Sequence, residues 1–459
     1  MLAQTLVAEV LDIGLSGGAD FAEIFLEDMT VNKAEFTDGR PRTISGRDYG
    51  LGLRLVKGLN TVYAYTNDVS RKSLVELARS AAVAFNAEQE FKVLDFSVAP
   101  ERGITPIKIY PDQIELKEKI DLLRQGYHAA MAYDTEISQA QISYHDWDQK
   151  VLIANSEGTW VEDRRTRSRY MINAVASFGS DYQSGMEGYG ASKGFELFDC
   201  INIPEMAAKA AEAAKTMVHA AYAPSGKMAV VMENGFGGVL FHEACGHGLE
   251  AAFVSKDSSV YAGKLGQQVA SPLVTAIDDG TIENSWGSSN YDDEGTPTQR
   301  NLLIENGILK GYLVDRISGK RMGCVSTGSS RRESYKFAPT SRMNNTYIQA
   351  GSSTREEIIS DTEYGLYAKS LGGGSVDVVT GEFNFAVREA YLIENGKLSQ
   401  PVRGASLIGT GLEVLQKIDM VGQDLLLSEG MCGAGSGMIP ASLGQAPLRI
   451  SSLTVGGRE

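Results

Sequence analysis

Residues 241–250 constrain the chain most, because this short stretch holds two of its five histidines, a cysteine and two glutamates. Glu243 directly follows His242, and His247 lies five positions after His242. Two imidazoles on one helix, with a carboxylate beside the first, are typical of a metal-dependent hydrolase. On a regular helix, however, five residues turn through about 500°, which leaves the two side chains about 140° apart. We therefore expect the helix to bend or end between the histidines, with Gly246 permitting the distortion.

Two imidazoles leave such a site one protein ligand short. No histidine follows His247, so the third ligand is a cysteine or a carboxylate. Cys432 is the main candidate, since the glycines of residues 430–437 would let a thiolate approach a metal. Cys245 is a rival, because it lies three positions after His242, about 60° around a regular helix. Zinc accepts both imidazole and thiolate and keeps one position open for water, with Glu243 placed to act as general base.

Composition excludes several classes of function. The formal net charge is −15 and few clusters of Lys or Arg occur, which argues against nucleic acid as a binding partner. The first residues lack a signal-peptide pattern, and no apolar run reaches the ~18–20 residues of a membrane span. Four widely spaced cysteines favour reduced thiols. We therefore expect a cytoplasmic protein with no membrane partner.

The order of patterns predicts an α+β fold. A helix followed by an antiparallel meander is predicted twice in residues 1–224, with possible subdomains 1–100 and 101–224. A turn is expected at Asp146–Asp148, and Arg164, Arg165 and Arg167 are expected on a solvated sheet face. Residues 225–459 are predicted to form a β-rich domain that carries the metal-binding helix.

Two hairpins are predicted in the second domain, at Asn306–Gly307 and Asn395–Gly396, because both turn residues must adopt positive φ. They indicate a large antiparallel sheet or a partial barrel. Other polar clusters there have two interpretations each. Residues 292–294 (Asp-Asp-Glu) are either a second metal site or, as we favour, a polar turn. The cluster of Arg331, Arg332 and Tyr335 either stabilises an oxyanion or pairs with nearby carboxylates.

These motifs resemble the TldD/TldE (PmbA) zinc metalloprotease family, also called the "modulator of DNA gyrase" family. The resemblance covers nearly all of residues 228–459 and, more thinly, the first half. Its motifs are His242–Glu243–x–x–x–His247, Asp292–Pro297, Ile304–Gly311, Gly328 with Arg331–Tyr335, Gly372–Gly374, the Cys432 loop and Leu453–Gly457.

The resemblance implies a zinc peptidase that acts on unfolded or short peptides. It implies that His242, His247 and Cys432 hold the metal and that Glu243 serves catalysis. It also implies a homodimer, or a heterodimer with a TldE (PmbA)-like subunit. Two other functions compete on the residues: a non-catalytic binding or scaffold subunit, and a metal hydrolase that acts on a non-peptide bond.

Overall fold

The computed structural model describes residues 2–85, 92–377 and 379–458. The first half contains helices and strands in one layered α+β unit. Its helices are α1 (Gln4–Leu15), α2 (Arg71–Ala82), α3 (Leu116–Met131) and α4 (Ile203–His219). Its strands are β1 (Phe21–Thr37), β2 (Arg40–Lys57), β3 (Asn60–Thr66), β4 (Ser97–Val98), β5 (Ile137–Asn155), β6 (Thr159–Phe178) and β7 (Asp181–Ala191).

The predicted order of helix and antiparallel meander occurs twice, as α1 before β1–β3 and α3 before β5–β7. Antiparallel pairing of β1 with β5 joins the two meanders into one seven-stranded sheet. Ser70 caps α2 as its residue type predicts, because its side chain accepts a hydrogen bond from the backbone N–H of Ser73. Apolar faces of α1 and α2 cover the first meander, and those of α3 and α4 cover the second.

The turn predicted at Asp146–Asp148 is wrong, because β5 continues through it as a regular strand. Asp146 is buried and accepts hydrogen bonds from Lys119 of α3 and from Asn32 of β1. Asp148 accepts two hydrogen bonds from Arg164 on the neighbouring strand. Partners on other elements therefore satisfy carboxylates that in isolation favour a turn.

The solvated face predicted for the arginines of β6 is wrong for Arg165 and Arg167. Both are buried, whereas Arg164 on the opposite face is about one-third exposed. Arg165 donates to the backbone carbonyl of Tyr291, and Arg167 donates to that of Trp286. The second half of the chain thus covers this face of the sheet.

The second half is β-rich, with short helices. Its helices are α5 (Val239–Phe241), α6 (Ala251–Val254), α7 (Arg316–Met322), α8 (Arg355–Ser360) and α9 (Gly411–Gln416). Its strands are β8 (Ala221–Tyr222), β9 (Gly226–Met232), β10 (Ala276–Asp279), β11 (Arg300–Glu305), β12 (Ile308–Leu309), β13 (Ser330–Arg331), β14 (Thr340–Ser341), β15 (Asn345–Ile348), β16 (Tyr364–Val376), β17 (Glu382–Glu394), β18 (Lys397–Arg403), β19 (Ser406–Thr410), β20 (Ile418–Val421), β21 (Leu426–Ala434), β22 (Gly437–Gln445) and β23 (Leu448–Gly456).

These strands form a closed ring and an open sheet. The ring runs β16–β9–β23–β19–β17 and closes because β17 also pairs with β16. The open sheet has the order β12–β11–β10–β15–β22–β21. The closed ring corresponds to the predicted partial barrel, and the sheets are mixed rather than wholly antiparallel, since β9 pairs with β16, β8 with β18 and β15 with β22 in parallel. Both predicted Asn-Gly hairpins are confirmed, with φ of 48° at Asn306 and 53° at Asn395.

Buried ion pairs join the two halves. Arg54 of β2 lies between Glu23 of β1, at 2.9 Å, and Glu294 of the second half, at 2.6 Å. Arg332 lies 2.8 Å from the other oxygen of Glu23. Because buried charges need partners, each half supplies the counter-charges of the other. The domain boundary expected near residue 224 stays a prediction.

The histidine segment follows β9 and lies in the core between the ring and the open sheet. The β21–β22 hairpin carries Cys432 towards it. Within the described residues, no helix is both long and apolar enough to cross a bilayer.

Candidate metal centre

The histidine segment changes its helical geometry at the first histidine. The α-helical turn Val239–Phe241 passes into a π-helical turn at His242–Gly246 and then into a 3₁₀ turn at His247–Leu249. The N–H of His247 donates to the carbonyl of His242, five residues earlier. Because this bond closes over five residues rather than four, it brings both histidines to one side. The expected irregularity between the histidines is confirmed, and their ring centroids lie 5.3 Å apart.

The reason expected for Gly246 is wrong. Its φ of −56° and ψ of −49° are ordinary right-handed helical values, which any residue can adopt. A Cβ atom at this position would instead lie 2.2 Å from the sulfur of Met343, which is fully buried. Glycine is therefore required by close packing and not by backbone conformation.

Three metal-ligand atoms from distant parts of the chain converge here. Sγ of Cys432 lies 3.2 Å from Nε2 of His242 and 3.3 Å from Nε2 of His247. The three ligand atoms all lie within 4.8 Å of one another, and all three residues are buried. Around a tetrahedral zinc ion, nitrogen and sulfur ligands would be separated by about 3.5 Å, given the usual bond lengths. The donors therefore fit a zinc ion with little rearrangement.

The pKa shifts in this group favour a thiolate beside a protonated imidazole, which must release its proton to bind a metal. Burial alone would raise the pKa of the Cys432 thiol, but His242 and His247 beside it lower that pKa well below its usual value. Burial opposes a charge on His247, yet Glu250 and Cys432 together raise its pKa well above the usual value. The site thus favours a thiolate, which is the form of cysteine that binds metals.

Glu243 lies at the open side of this group. Its Oε2 is 3.7 Å from Nε2 of His247, and its side chain keeps 26% of its exposure. It is close enough to reach a water beside the three donors without belonging to them.

Two supporting residues were missed in the sequence. Nδ1 of His247 lies 3.1 Å from Oε1 of the buried Glu250, which orients the ring so that Nε2 faces Cys432. Arg342 donates to the backbone carbonyl of Cys432 at 2.6 Å and lies 3.8 Å from the Glu250 carboxylate. Glu250 was recognisable as a carboxylate one helical turn after a candidate ligand, whereas the sequence near Arg342 holds no comparable signal.

Cys245, the rival ligand, points elsewhere. Its side chain is fully buried near Gly411 and Tyr261, and burial raises the pKa of its thiol to about 12. Among the described residues, the converging group contains Cys432 and does not contain Cys245.

The acidic cluster at residues 292–294 is a buried turn. Asp292 accepts hydrogen bonds from the backbone N–H groups of Glu294, Thr296 and Ser330. Asp293 accepts from the guanidinium of Arg165. The polar-turn interpretation is the one that these contacts favour.

In the cluster of Arg331, Arg332 and Tyr335, most contacts are with residues that hold the fold together. Arg332 pairs with Glu23 and lies over the ring of Phe25, with its guanidinium carbon 4.4 Å from the centroid. The N–H of Tyr335 donates to Glu27. These contacts match the structural alternative for Arg332 and Tyr335. Arg331 differs, because the only hydrogen bond of its side chain to the described residues runs to the carbonyl of Met343.

Two histidines on one helical segment, a remote thiolate and an adjacent carboxylate, on this α+β scaffold, are typical of a class of protein, the metal-dependent hydrolases. Protein-family comparison agrees along the chain. Residues 22–84 match PmbA/TldA metallopeptidase domain 1, residues 109–218 match the central domain, and residues 225–457 match the C-terminal domain. The chain belongs to the PmbA/TldD metallopeptidase family.

Curated relatives carry the same description. A metalloprotease TldD homolog of Haemophilus influenzae is 38% identical over 469 residues, covering 99% of this chain and 96% of the relative. A metalloprotease TldD homolog of Buchnera aphidicola is 39% identical over 89% of this chain and 87% of the relative. A more distant relative from Saccharolobus solfataricus, 26% identical over 96% of this chain and 97% of its own length, is called a zinc metalloprotease TldD homolog.

Solved structures share the fold. A Thermotoga maritima protein described as a modulator of DNA gyrase superposes with a TM-score of 0.82 at 21% identity, over 99% of this chain and all of its own. TldE from Thermococcus kodakarensis gives a TM-score of 0.77 at 19% identity, over 98% of this chain and all of its own.

Proposed function

We propose that this protein is a zinc-dependent peptidase in which His242, His247 and Cys432 hold the metal and Glu243 is the general base. One observation carries the proposal: the two imidazoles and the thiolate converge within 4.8 Å beside a partly exposed carboxylate. The name of the Saccharolobus relative supports zinc as the metal.

Zinc at this position would acidify a water molecule and polarise the carbonyl of the peptide bond. Glu243 then accepts the proton of the attacking water and donates it to the leaving amine. Glu250 would keep Nε2 of His247 directed at the metal by accepting a hydrogen bond from its Nδ1–H group. Arg342 holds the backbone of Cys432 in place beside both histidines.

Burial of the donors supports a restricted substrate class. His242, His247 and Cys432 expose at most 6% of their surface, so a peptide bond must enter a narrow opening to reach them. Only a short or unfolded peptide can present its backbone in this way. We propose unfolded or short peptides as substrates, in the cytoplasm. We also propose assembly as a homodimer or with a TldE (PmbA)-like subunit, a class whose Thermococcus member has this fold.

The test compares zinc content with cleavage of an unstructured fluorogenic peptide, for the parent protein and for Glu243→Gln. We expect Glu243→Gln to keep its zinc and to lose about 10²–10⁴-fold in kcat, the usual share of a general base. Glu305→Gln, at the exposed end of β11, is the matched control and should cleave normally. Cys432→Ser should lose zinc.

Other outcomes assign other functions. A purified protein that binds no zinc would favour the scaffold function. A zinc protein that hydrolyses esters but no peptide would favour the non-peptide hydrolase. Folded and unfolded forms of one substrate cleaved at the same rate would contradict the access argument.

A further inference from the structure

A cavity separate from the metal centre lies between the two halves of the molecule, behind the hairpin that carries Cys432. It has a volume of about 270 Å³. Two cross-strand rows of the first sheet form its floor, Val31–Trp147–Arg167 and Met29–Gln149–Arg165.

The β21–β22 hairpin separates this cavity from the metal centre. Met431 pairs with Pro440 and Cys432 pairs with Ile439 along the hairpin. Because side chains alternate across a strand, Met431 faces the cavity while Cys432 faces the histidines. The cavity is thus a separate site that shares one strand with the metal centre.

The wall is strongly cationic. Four arginines line the cavity, and two of them are paired with carboxylates: Arg165 with Asp293 and Arg332 with Glu23. The remaining two, Arg167 and Arg331, are 6% and 7% exposed. Neither has a carboxylate oxygen within 4.0 Å among the described residues, although the other buried arginines around them do.

Within the part of the chain that the structure describes, the two unpaired guanidiniums are held by backbone carbonyls alone. Arg167 donates to Trp286 and Ser288, and Arg331 donates to Met343. Each guanidinium can donate five hydrogen bonds, so each keeps donors for another acceptor. Burial and neighbouring arginines lower the pKa of Arg167 to about 9 and that of Arg331 to about 10, although the more distant Asp293 carboxylate acts in the opposite direction on both. Both therefore stay charged at neutral pH, and a buried charge without a partner is destabilising.

The acidic residues of the wall are already engaged. Asp293 accepts from Arg165 and from the backbone N–H of Arg332, and Asp292 accepts from three backbone N–H groups. Glu333 is exposed and accepts from the N–H of Met438 at the hairpin. Among the described residues that line the cavity, an additional anion would therefore find two guanidiniums without a carboxylate partner and no buried carboxylate that lacks a hydrogen-bond donor.

The opposite wall is apolar. Met431 and Met438 are 39% and 47% exposed there, next to Pro440, and Trp147 closes the floor beside them. Thioethers and aromatic rings accept apolar groups of varied shape. A ligand that fits both walls carries an oxyanion at one end and an apolar group beside it.

We propose that this cavity is a binding site for the terminal carboxylate of a peptide whose last residue is apolar, separate from the metal centre. The oxyanion lies between Arg167 and Arg331, and the apolar side chain lies against the two methionines. That the carboxylate belongs to a peptide rests on the proposed function, whereas the binding of an anion between the two arginines does not. A bidentate arginine–carboxylate contact supplies the selectivity for a free terminus.

Intrinsic fluorescence can report this binding, because Trp147, one of the three tryptophans, lines the cavity and the buried Trp286 packs against it with ring centroids 5.3 Å apart. The probe is N-acetyl-leucyl-leucine, and its C-terminal amide is the comparison ligand. The titration uses the full-length Glu243→Gln variant, so that no cleavage occurs. We expect the acid to bind about tenfold more tightly than the amide, the effect of one strong charge-assisted contact.

Variants locate the site. Arg331→Gln should weaken the acid about tenfold and leave the amide unchanged. Arg164→Gln is the matched control for Arg167→Gln, because Arg164 lies on the same strand, β6, but pairs with Asp148 on the opposite face. Arg167→Gln should behave like Arg331→Gln. If Arg167→Gln unfolds the protein because the hydrogen bond to the Trp286 carbonyl is lost, the difference in affinity between acid and amide still tests the site in the protein with both arginines intact.

Three results would overturn the assignment. The first is equal affinity for acid and amide. The second is loss of acid binding when zinc is removed by chelation, because the carboxylate would then have been bound at the metal. The third is displacement of the acid by inorganic phosphate at equal concentration, because the site would then select an oxyanion without its apolar group. Since binding needs neither zinc nor cleavage, failure of the proposed peptidase activity would leave this test intact.

Discussion

Gly246→Ala should weaken zinc binding without altering any proposed ligand. The new Cβ would lie 2.2 Å from the sulfur of Met343, whereas a normal contact needs about 3.5–4.0 Å. Something must therefore move by roughly 1.3–1.8 Å, and Met343 is fully buried. Overpacking of this kind costs about 1–3 kcal/mol, against a gain of up to about 1 kcal/mol from the helix propensity of alanine.

The movement affects zinc because Gly246 precedes His247 directly. Metal–ligand distances tolerate only about 0.2 Å, so a shift of this turn displaces Nε2 of His247 from its bonding position. We expect the zinc Kd of Gly246→Ala to rise at least about tenfold, equal to about 1.4 kcal/mol. Competition with a chromophoric chelator measures this Kd directly.

The double variant Gly246→Ala/Met343→Ala tests the cause. Removing the sulfur makes room for the new methyl group, so zinc affinity should return to within about threefold of the parent. Met343→Ala alone should lower stability by about 2–5 kcal/mol through the cavity that it leaves, with little effect on zinc. A double variant that binds zinc no better than Gly246→Ala would refute the close-packing argument.

Three further perturbations test other parts of the structure. Glu250→Gln should weaken zinc binding about 10–100-fold in the same chelator assay, since it removes the carboxylate that orients His247, and unchanged affinity would contradict that role. Burial raises the pKa of Glu27 from 4.5 to about 7, so between these pH values the native state binds a proton that the unfolded state has lost. The contribution of Glu27 to the unfolding free energy should therefore fall by about 3 kcal/mol as pH rises from about 4.5 to 7. Urea titrations across that range should show this fall in the parent protein and not in Glu27→Gln. Arg54→Met should lower the unfolding free energy by about 3–5 kcal/mol, because two buried carboxylates lose their shared cation, and a loss below about 1 kcal/mol would show that the pair is dispensable.

Features that depend on neighbouring residues were predictable. The spacing of His242 and His247 required an irregular helix, because the geometry of a regular one places them on different sides. The structure has a π-helical turn there. The Asn-Gly pair at Asn306 required a tight hairpin because positive φ is rare for other residues, and the hairpin is present.

Features that depend on distant partners were not predictable. Asp146 suggested a turn, yet Lys119 and Asn32 hold it inside a strand. Arg167 was predicted to lie on a solvated sheet face, but residues more than 100 positions later in the chain bury it. Alternation in a strand shows which side chains share a face, and it does not show what covers that face.

The candidate metal centre divides in the same way. Sequence alone identified the residue types that a zinc site needs and the distortion between the histidines, since chemistry and helical geometry are local. Only the tertiary structure brought Cys432 to within 3.3 Å of both histidines, turned Cys245 away and placed Glu250 and Arg342 behind the ligands. The physical reason is that a thiol's contacts are set by the packing of strands that lie nearly 190 residues from the histidine segment, and that packing leaves no signal in the residues beside it.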